Sequence, residues 1–148
     1  IPTRLVSKLR TTMKSPMYGH PAHVETATGH GPCRHCLRTF KVGEESRILF
    51  TYNSFLNVES IPLPGPVFVH ADGCERYTEE AGYPRELLAH GAVLNAYSKG
   101  QTLVARAVVR DDGHEKAVRD LLGTPGVDYI QVHDLEAGCY DFRIERMG

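Results

Sequence analysis

The chain has 148 residues, of which 41% are hydrophobic and 24% charged, and a net charge of −1 with histidines neutral. That length suits one domain with a core of its own, and the near-neutral charge removes any broad electrostatic case for nucleic acid or an anionic membrane. No apolar run of about 18 residues is present to cross a bilayer, no apolar leader follows Ile1-Pro2-Thr3-Arg4, and four cysteines are too few for a disulfide scaffold, so free or metal-bound thiols in a reducing cytoplasm are expected.

Residues 3–14 alternate weakly, as a short strand or a helix would. Their basic side chains Arg4, Lys8, Arg10 and Lys14 read as a solvated arm. Residues 15–36 are rich in Pro, Gly, His and Thr and read as a long loop. Arg47–Tyr52 alternates as a strand, with Ile48, Phe50 and Tyr52 on one face. Pro66–Ala71 is a short Val/Phe strand after the breaker run Pro62-Leu63-Pro64-Gly65. Tyr83–His90 reads as a short helix with Pro84 in its first turn. Ala92–Tyr97 and Thr102–Val109 are strands joined by the turn Ser98-Lys99-Gly100-Gln101.

The next segment carries the strongest helix signal. Asp112 can cap it, Glu115 stands three residues on, and Ala117, Val118, Leu121 and Leu122 form one apolar stripe. Gly123 and Pro125 end it. Two strands follow, Val127–His133 and Cys139–Glu145. The expected fold is a single α+β domain over 1–148, with 1–30 an extended arm and histidine-rich loop. Residues 31–148 would form a mostly antiparallel bent sheet with the main helix, about 114–122, packed on it.

Chemistry concentrates in two places. The first reads His20-Pro21-Ala22-His23, then His30-Gly31-Pro32-Cys33-Arg34-His35-Cys36. Thiols and imidazoles bind zinc, attack electrophiles and exchange disulfides. The Cys33/Cys36 pair is half a zinc site that needs two more ligands. His30 and His35 are the nearest candidates, with His20, His23, His70, Cys74 and His133 as others. The same cysteines are also open to reading as a redox pair, as Cys33 acting alone, or as buried structural thiols.

The second place is the terminal hairpin. Parity puts Ile130, Val132, Phe142 and Ile144 on the core face. His133 and Cys139 would then share the other face, directly opposite each other across a symmetric loop. His70 and Arg76 read as the rim of a site on a polar turn, with Cys74 an exposed bystander. His90 and His114 read as surface residues.

Four segments resemble one family. They are Gly31-Pro32-Cys33-Arg34, Val42-Gly43-Glu44-Glu45 with its following strand, Gly65-Pro66-Val67-Phe68-Val69, and Tyr129-Ile130-Gln131-Val132-His133 followed by Gly138-Cys139-Tyr140. Over roughly residues 29–147 they are similar to bacterial proteins of this length catalogued only as a domain of unknown function. The resemblance implies one compact domain of bacterial origin. It also implies a recurring Pro-Cys-Arg cysteine without a fixed cysteine at position 36, and so favours Cys33 acting alone or with His133 and Cys139.

The first expectation is therefore a small enzyme-like protein acting on a small, anionic substrate. Its thiol/imidazole site would comprise Cys33, His133 and Cys139, with Arg34, His70, Arg76 and Tyr140 binding substrate. The second is a non-catalytic zinc domain using Cys33, Cys36 and histidines. The third is a homodimeric binding module.

Overall fold

The computed structural model describes residues 1–147. It contains two helices, α1 (Thr3–Thr12) and α2 (His114–Leu122). Its strands are β1 (His23–Thr26), β2 (Ser46–Asn53), β3 (Pro64–His70), β4 (Ala92–Tyr97), β5 (Leu103–Val109), β6 (Tyr129–Asp134) and β7 (Tyr140–Glu145). The class is α+β, mostly antiparallel sheet. The strands are divided between two sheets, ordered β1-β2-β3 and β5-β4-β6-β7. The chain forms two compact units: Ile1–Asn53 with Pro64–Leu87, and Ser54–Leu63 with Leu88–Gly148. No helix among the described residues is long and apolar enough to cross a membrane.

The first unit holds the three-stranded sheet. The 3–14 stretch resolves as helix rather than strand, because Leu5, Val6 and Leu9 recur at helical spacing and are all buried. Met13 closes α1 in the left-handed region at φ 53°, its N–H bonded to Leu9 O. The 15–36 stretch is not all loop. Its centre pairs as β1 along β2, with Val24 opposite Ile48 and Glu25 opposite Arg47. The breaker residues Pro64 and Gly65 begin β3 rather than precede it. Pro64 fits there because β3 is an edge strand, where a missing N–H is tolerated.

Arg47 is buried in this sheet. Its guanidinium pairs with Glu25 at 2.8 Å, donates to Thr28 Oγ1 at 3.1 Å and lies 3.7 Å over the Phe68 ring centroid. A buried cation is sustained by this kind of enclosure.

The second unit holds the four-stranded sheet, with α2 against β4, β5 and β6. The helix covers the expected residues, but its ends differ from expectation. Gly113, at φ 91°, is the N-cap, and Asp112 only accepts the Gly113 N–H at 2.7 Å. Gly123 stays right-handed at φ −74°, and the left-handed residue is Gly126 at φ 86°. The 83–90 segment is a 3-10 turn over Arg85–Ala89, too short for an α-helix. His114 is a buried residue, not a surface one: its exposure is 2%, and Nε2 lies 2.8 Å from His90 O.

Strand β6 is buried on both faces. Ile130 and Val132 are core residues as parity requires, with Phe142 buried and Ile144 half-buried. Gln131 on the opposite face is equally buried. It donates to Ser54 O at 3.1 Å and accepts from Ser54 Oγ at 3.3 Å. Arg143 adds bonds to Ser54 O and Leu56 O at 3.0 and 2.8 Å. The 54–63 segment thus covers the face that alternation alone leaves open.

Where the chain enters β4, Gly91 is tightly enclosed. A Cβ there would meet Leu135 Cδ2 at 2.6 Å, Leu135 Cβ at 3.1 Å and Val109 O at 3.2 Å. Gly91→Ala is therefore expected to cost about 1–3 kcal/mol, as overpacking does, and urea unfolding measures it.

Candidate metal centre

The site grows from a six-residue turn in the first unit. The Cys33 N–H donates to Arg38 O at 2.9 Å, and the Leu37 N–H donates to Cys33 O at 2.8 Å. Leu37 takes a left-handed φ of 57° to complete the curl, a conformation that costs a non-glycine residue free energy and persists only where its surroundings impose it. The Arg34 N–H donates to Phe68 O at 3.0 Å, which ties the turn to β3. The Arg34 side chain is buried and folds back to donate to Pro32 O at 2.6 Å.

His70, the last residue of β3, brings an imidazole to the two thiols of the turn. Its backbone N–H donates to Cys33 Sγ at 3.2 Å, and its Nδ1 lies 3.4 Å from Cys36 Sγ. On the far side of the ring, Nε2 lies 2.9 Å from Glu45 Oε2. That is ion-pair contact, though its alignment falls short of a hydrogen bond. Phe40 closes the ring in, with centroids 4.6 Å apart.

Cys74 follows in the irregular segment after β3. Its Sγ is 3.8 Å from Cys33 Sγ, 3.2 Å from His35 Nδ1 and 3.5 Å from Arg10 Nη2. Arg10 reaches over from α1 and also donates twice to His70 O, at 3.2 and 3.0 Å.

One sulfur each from Cys33, Cys36 and Cys74, and one ring nitrogen from His70, all lie within 4.8 Å of one another. Cys33, Cys36 and His70 are buried, and Cys74 is half-buried. Such a group could hold a metal ion. The spacing is informative: tetrahedral bonds of about 2.3 Å to sulfur and 2.0–2.1 Å to nitrogen imply S···S edges near 3.8 Å and S···N edges near 3.5 Å. The Cys33–Cys74 separation of 3.8 Å and the Cys36–His70 separation of 3.4 Å already match those edges.

The electrostatics fit as well. Contact with the neighbouring thiol groups, Cys33 first, pushes His70 up to about 12. The hydrogen bond from Cys36 is the largest influence lowering the Cys33 thiol. The metal-free cluster therefore holds a proton on His70 that an arriving cation must expel. His35 is the opposite case. Burial, reinforced by nearby positive charge including Arg10 and Arg76, pulls it down to about 4, so the ring is neutral at neutral pH. Its Nε2 faces Thr3 Oγ1 at 3.1 Å.

The structure thus joins Cys33 and Cys36 to His70 and Cys74. His35 sits beside Cys74 without completing the four, and His30 is exposed. Cys74, read from the sequence as an exposed bystander, is a member of the cluster. The signal that could have paired it is His70-x-x-x-Cys74, a short ligand spacing at a strand end, answering Cys33-x-x-Cys36. Arg76 is exposed and points to Glu79 at 3.5 Å.

His133, Cys139 and Tyr140 belong to the second unit. The expected His133–Cys139 opposition is corrected there. The ladder that pairs Ile130 with Ile144 and Val132 with Phe142 runs toward His133 opposite Asp141, and a one-residue shift after Val132 sets His133 opposite Tyr140 instead, with ring centroids 6.0 Å apart. The Cys139 carbonyl accepts the Asp134 N–H at 2.9 Å.

Residues 30–146 match the profile of the family described as "Protein of unknown function (DUF1203)". The chain belongs to that family. No curated protein and no solved structure matches it. The match includes all four residues of the cluster and both strands of the terminal hairpin.

Proposed function

We propose that this protein is a zinc-binding domain whose metal is held by Cys33, Cys36, Cys74 and His70 Nδ1 and serves a structural role. The observation that carries this reading is the buried convergence of three sulfurs and one imidazole nitrogen within 4.8 Å. Soft thiolates with one imidazole suit zinc above the hard cations. Four protein ligands leave no open coordination position, which is the mark of a structural rather than a catalytic zinc site. Three thiolates around a divalent cation carry one net negative charge. Arg10 at Cys74 and Arg38, whose guanidinium is raised by its bond to Cys36, would balance it. Thiolate ligation also suits the reducing, cytoplasmic setting expected from the cysteine count.

Elemental analysis of protein prepared without an affinity tag tests the reading. About one equivalent of zinc is expected, and X-ray absorption should show three sulfurs near 2.3 Å and one nitrogen near 2.0 Å. Zinc below about 0.2 equivalents, with all thiols freely titratable, would falsify the site.

A second reading keeps the thiol/imidazole enzyme but changes its residues. Cys74 Sγ, His35 Nδ1 and Thr3 Oγ1 form a chain with steps of 3.2 and 3.1 Å, the order of nucleophile, base and orienting group. Cys33, first expected as the nucleophile, is completely buried, whereas Cys74 is half-buried. Alkylation at neutral pH separates the two readings: a zinc site protects Cys74, and a catalytic thiol labels first.

A further inference from the structure

We propose that Cys33 and Cys74 form a reversible disulfide that ejects the metal, making this centre an oxidation site for peroxides. The inference rests on the zinc reading for the metal it releases, but the bond itself rests on the geometry of the two thiols.

The two sulfurs are in van der Waals contact at 3.8 Å and lie 41 residues apart in sequence. A disulfide needs about 2.05 Å, so the sulfurs must close by less than 2 Å. The chain around Cys74 can supply that movement, because residues 71–78 are in neither helix nor strand. Cys33 is fixed in its closed turn, and Cys36 is engaged by His70 Nδ1 at 3.4 Å. The three cysteines also differ in access. Cys33 and Cys36 are 0% and 4% exposed, and Cys74 is half-buried. A small oxidant therefore reaches Cys74 first, and the sulfur it touches next is that of Cys33.

The chemistry balances in two steps. The Cys74 thiolate attacks one oxygen of hydrogen peroxide, the O–O bond breaks, and Cys74 becomes a sulfenic acid as hydroxide leaves. The Cys33 thiolate then attacks the Cys74 sulfur, the S–O bond breaks, and a second hydroxide leaves as the S–S bond forms. Each sulfur gives up one electron and the peroxide takes two; two solvent protons convert the hydroxides to water. Arg10 Nη2 donates to the Cys74 sulfur at 3.5 Å and His35 Nδ1 lies 3.2 Å from it; the guanidinium, and the imidazole in its Nδ1–H tautomer, are placed to hydrogen-bond the departing oxygen. With two of four ligands consumed, Cys36 and His70 alone do not retain the ion.

The test is hydrogen peroxide titration of the purified protein, as isolated and after removal of its metal. Zinc release is read with a chromogenic chelator, and disulfides are read by non-reducing peptide mass mapping. The expected result is one zinc released per Cys33–Cys74 bridge, restored by a thiol reductant and added zinc, with Cys139 still reduced. The bridge should form faster in the metal-free protein, and Cys139→Ser should leave both readouts unchanged. A Cys33–Cys36 bridge, overoxidation of Cys74 with no bridge, or oxidation of Cys139 before Cys74 overturns the proposal. If the isolated protein carries no metal, the zinc reading fails, and the bridge mapped in that same protein still decides for or against the thiol pair.

Discussion

Stripping the metal should lower the melting temperature of the first unit by about 12–24 °C, the shift expected for a loss near 3 kcal/mol in a domain of 60–100 residues. That loss is a conservative fraction of the roughly 10–16 kcal/mol by which structural zinc binds small folded peptides at neutral pH. The reason lies in what the four ligands tie together. Cys33 and Cys36 come from a turn that holds Leu37 at a positive φ, His70 from the end of β3, and Cys74 from a segment without regular structure. Arg10 joins α1 to the same cluster through His70 O and Cys74 Sγ. Without a cation, three thiols and a protonated imidazole share one buried space, and their mutual positions lose their common anchor.

Hydrogen exchange locates the effect. The amides of Cys33, Arg34, Leu37 and His70, all bonded within or to the turn, should lose protection on chelation. Cys36→Ala should reproduce the loss, and added zinc should fail to reverse it. A metal-free protein melting within about 2 °C of the metal-bound one would remove the structural role.

Much of the second unit was legible because its signals are local. The apolar stripe of α2 and the alternation of β4, β5, β6 and β7 follow from periodicity, and the structure reproduces those elements with small shifts at their ends. The register of the last hairpin was not legible. A symmetric loop would set His133 opposite Cys139, but the ladder that pairs Val132 with Phe142 runs on toward Asp141, and a one-residue shift leaves His133 opposite Tyr140; alternation carries no mark of either. Nor does it reveal that residues 54–63 cover Gln131, since that contact spans 77 positions.

The metal cluster divides in the same way. Cys33 and Cys36 announce themselves by spacing. His70 and Cys74 join them only because β2 pairs with β3 so that Arg47 lies opposite His70, carrying the strand end to the turn. The histidine-rich loop, which draws the eye in the sequence, contributes no ligand to the cluster. Residue type marked the chemistry, while long-range pairing selected its members.

Glu45→Gln should weaken metal binding about 10–100-fold, the usual cost of losing the partner that orients a ligating histidine. The carboxylate is held ready by its own turn. Gly43 at φ 79° lets the chain reverse, and the Glu44 and Glu45 N–H groups both donate to Lys41 O, at 3.1 and 3.0 Å. Glu45 Oε1 accepts the Lys41 N–H at 2.8 Å, which leaves Oε2 facing His70 Nε2 at 2.9 Å. That backbone hydrogen bond from Lys41 is the main influence holding the Glu45 carboxyl below the usual carboxylate range, so it is ionised at neutral pH. An anion at Nε2 keeps the ring proton on that nitrogen and leaves the Nδ1 lone pair for the metal. Glutamine fills the same space without the charge.

The sign of the pH dependence follows from the lowered Glu45 value. The advantage of glutamate over glutamine should be fully present above the ordinary carboxylate range near pH 4.3 and lost as pH falls through the lowered value. Competition against a chromogenic chelator should therefore find the advantage constant between pH 5.5 and 8, with Glu44→Gln, an exposed neighbour on the same turn, as the control. The metal-free stability of Glu45→Gln separates a general weakening of the fold from a change at the ligand. An affinity within about twofold of the parent protein across that range would show that Glu45 does not position His70.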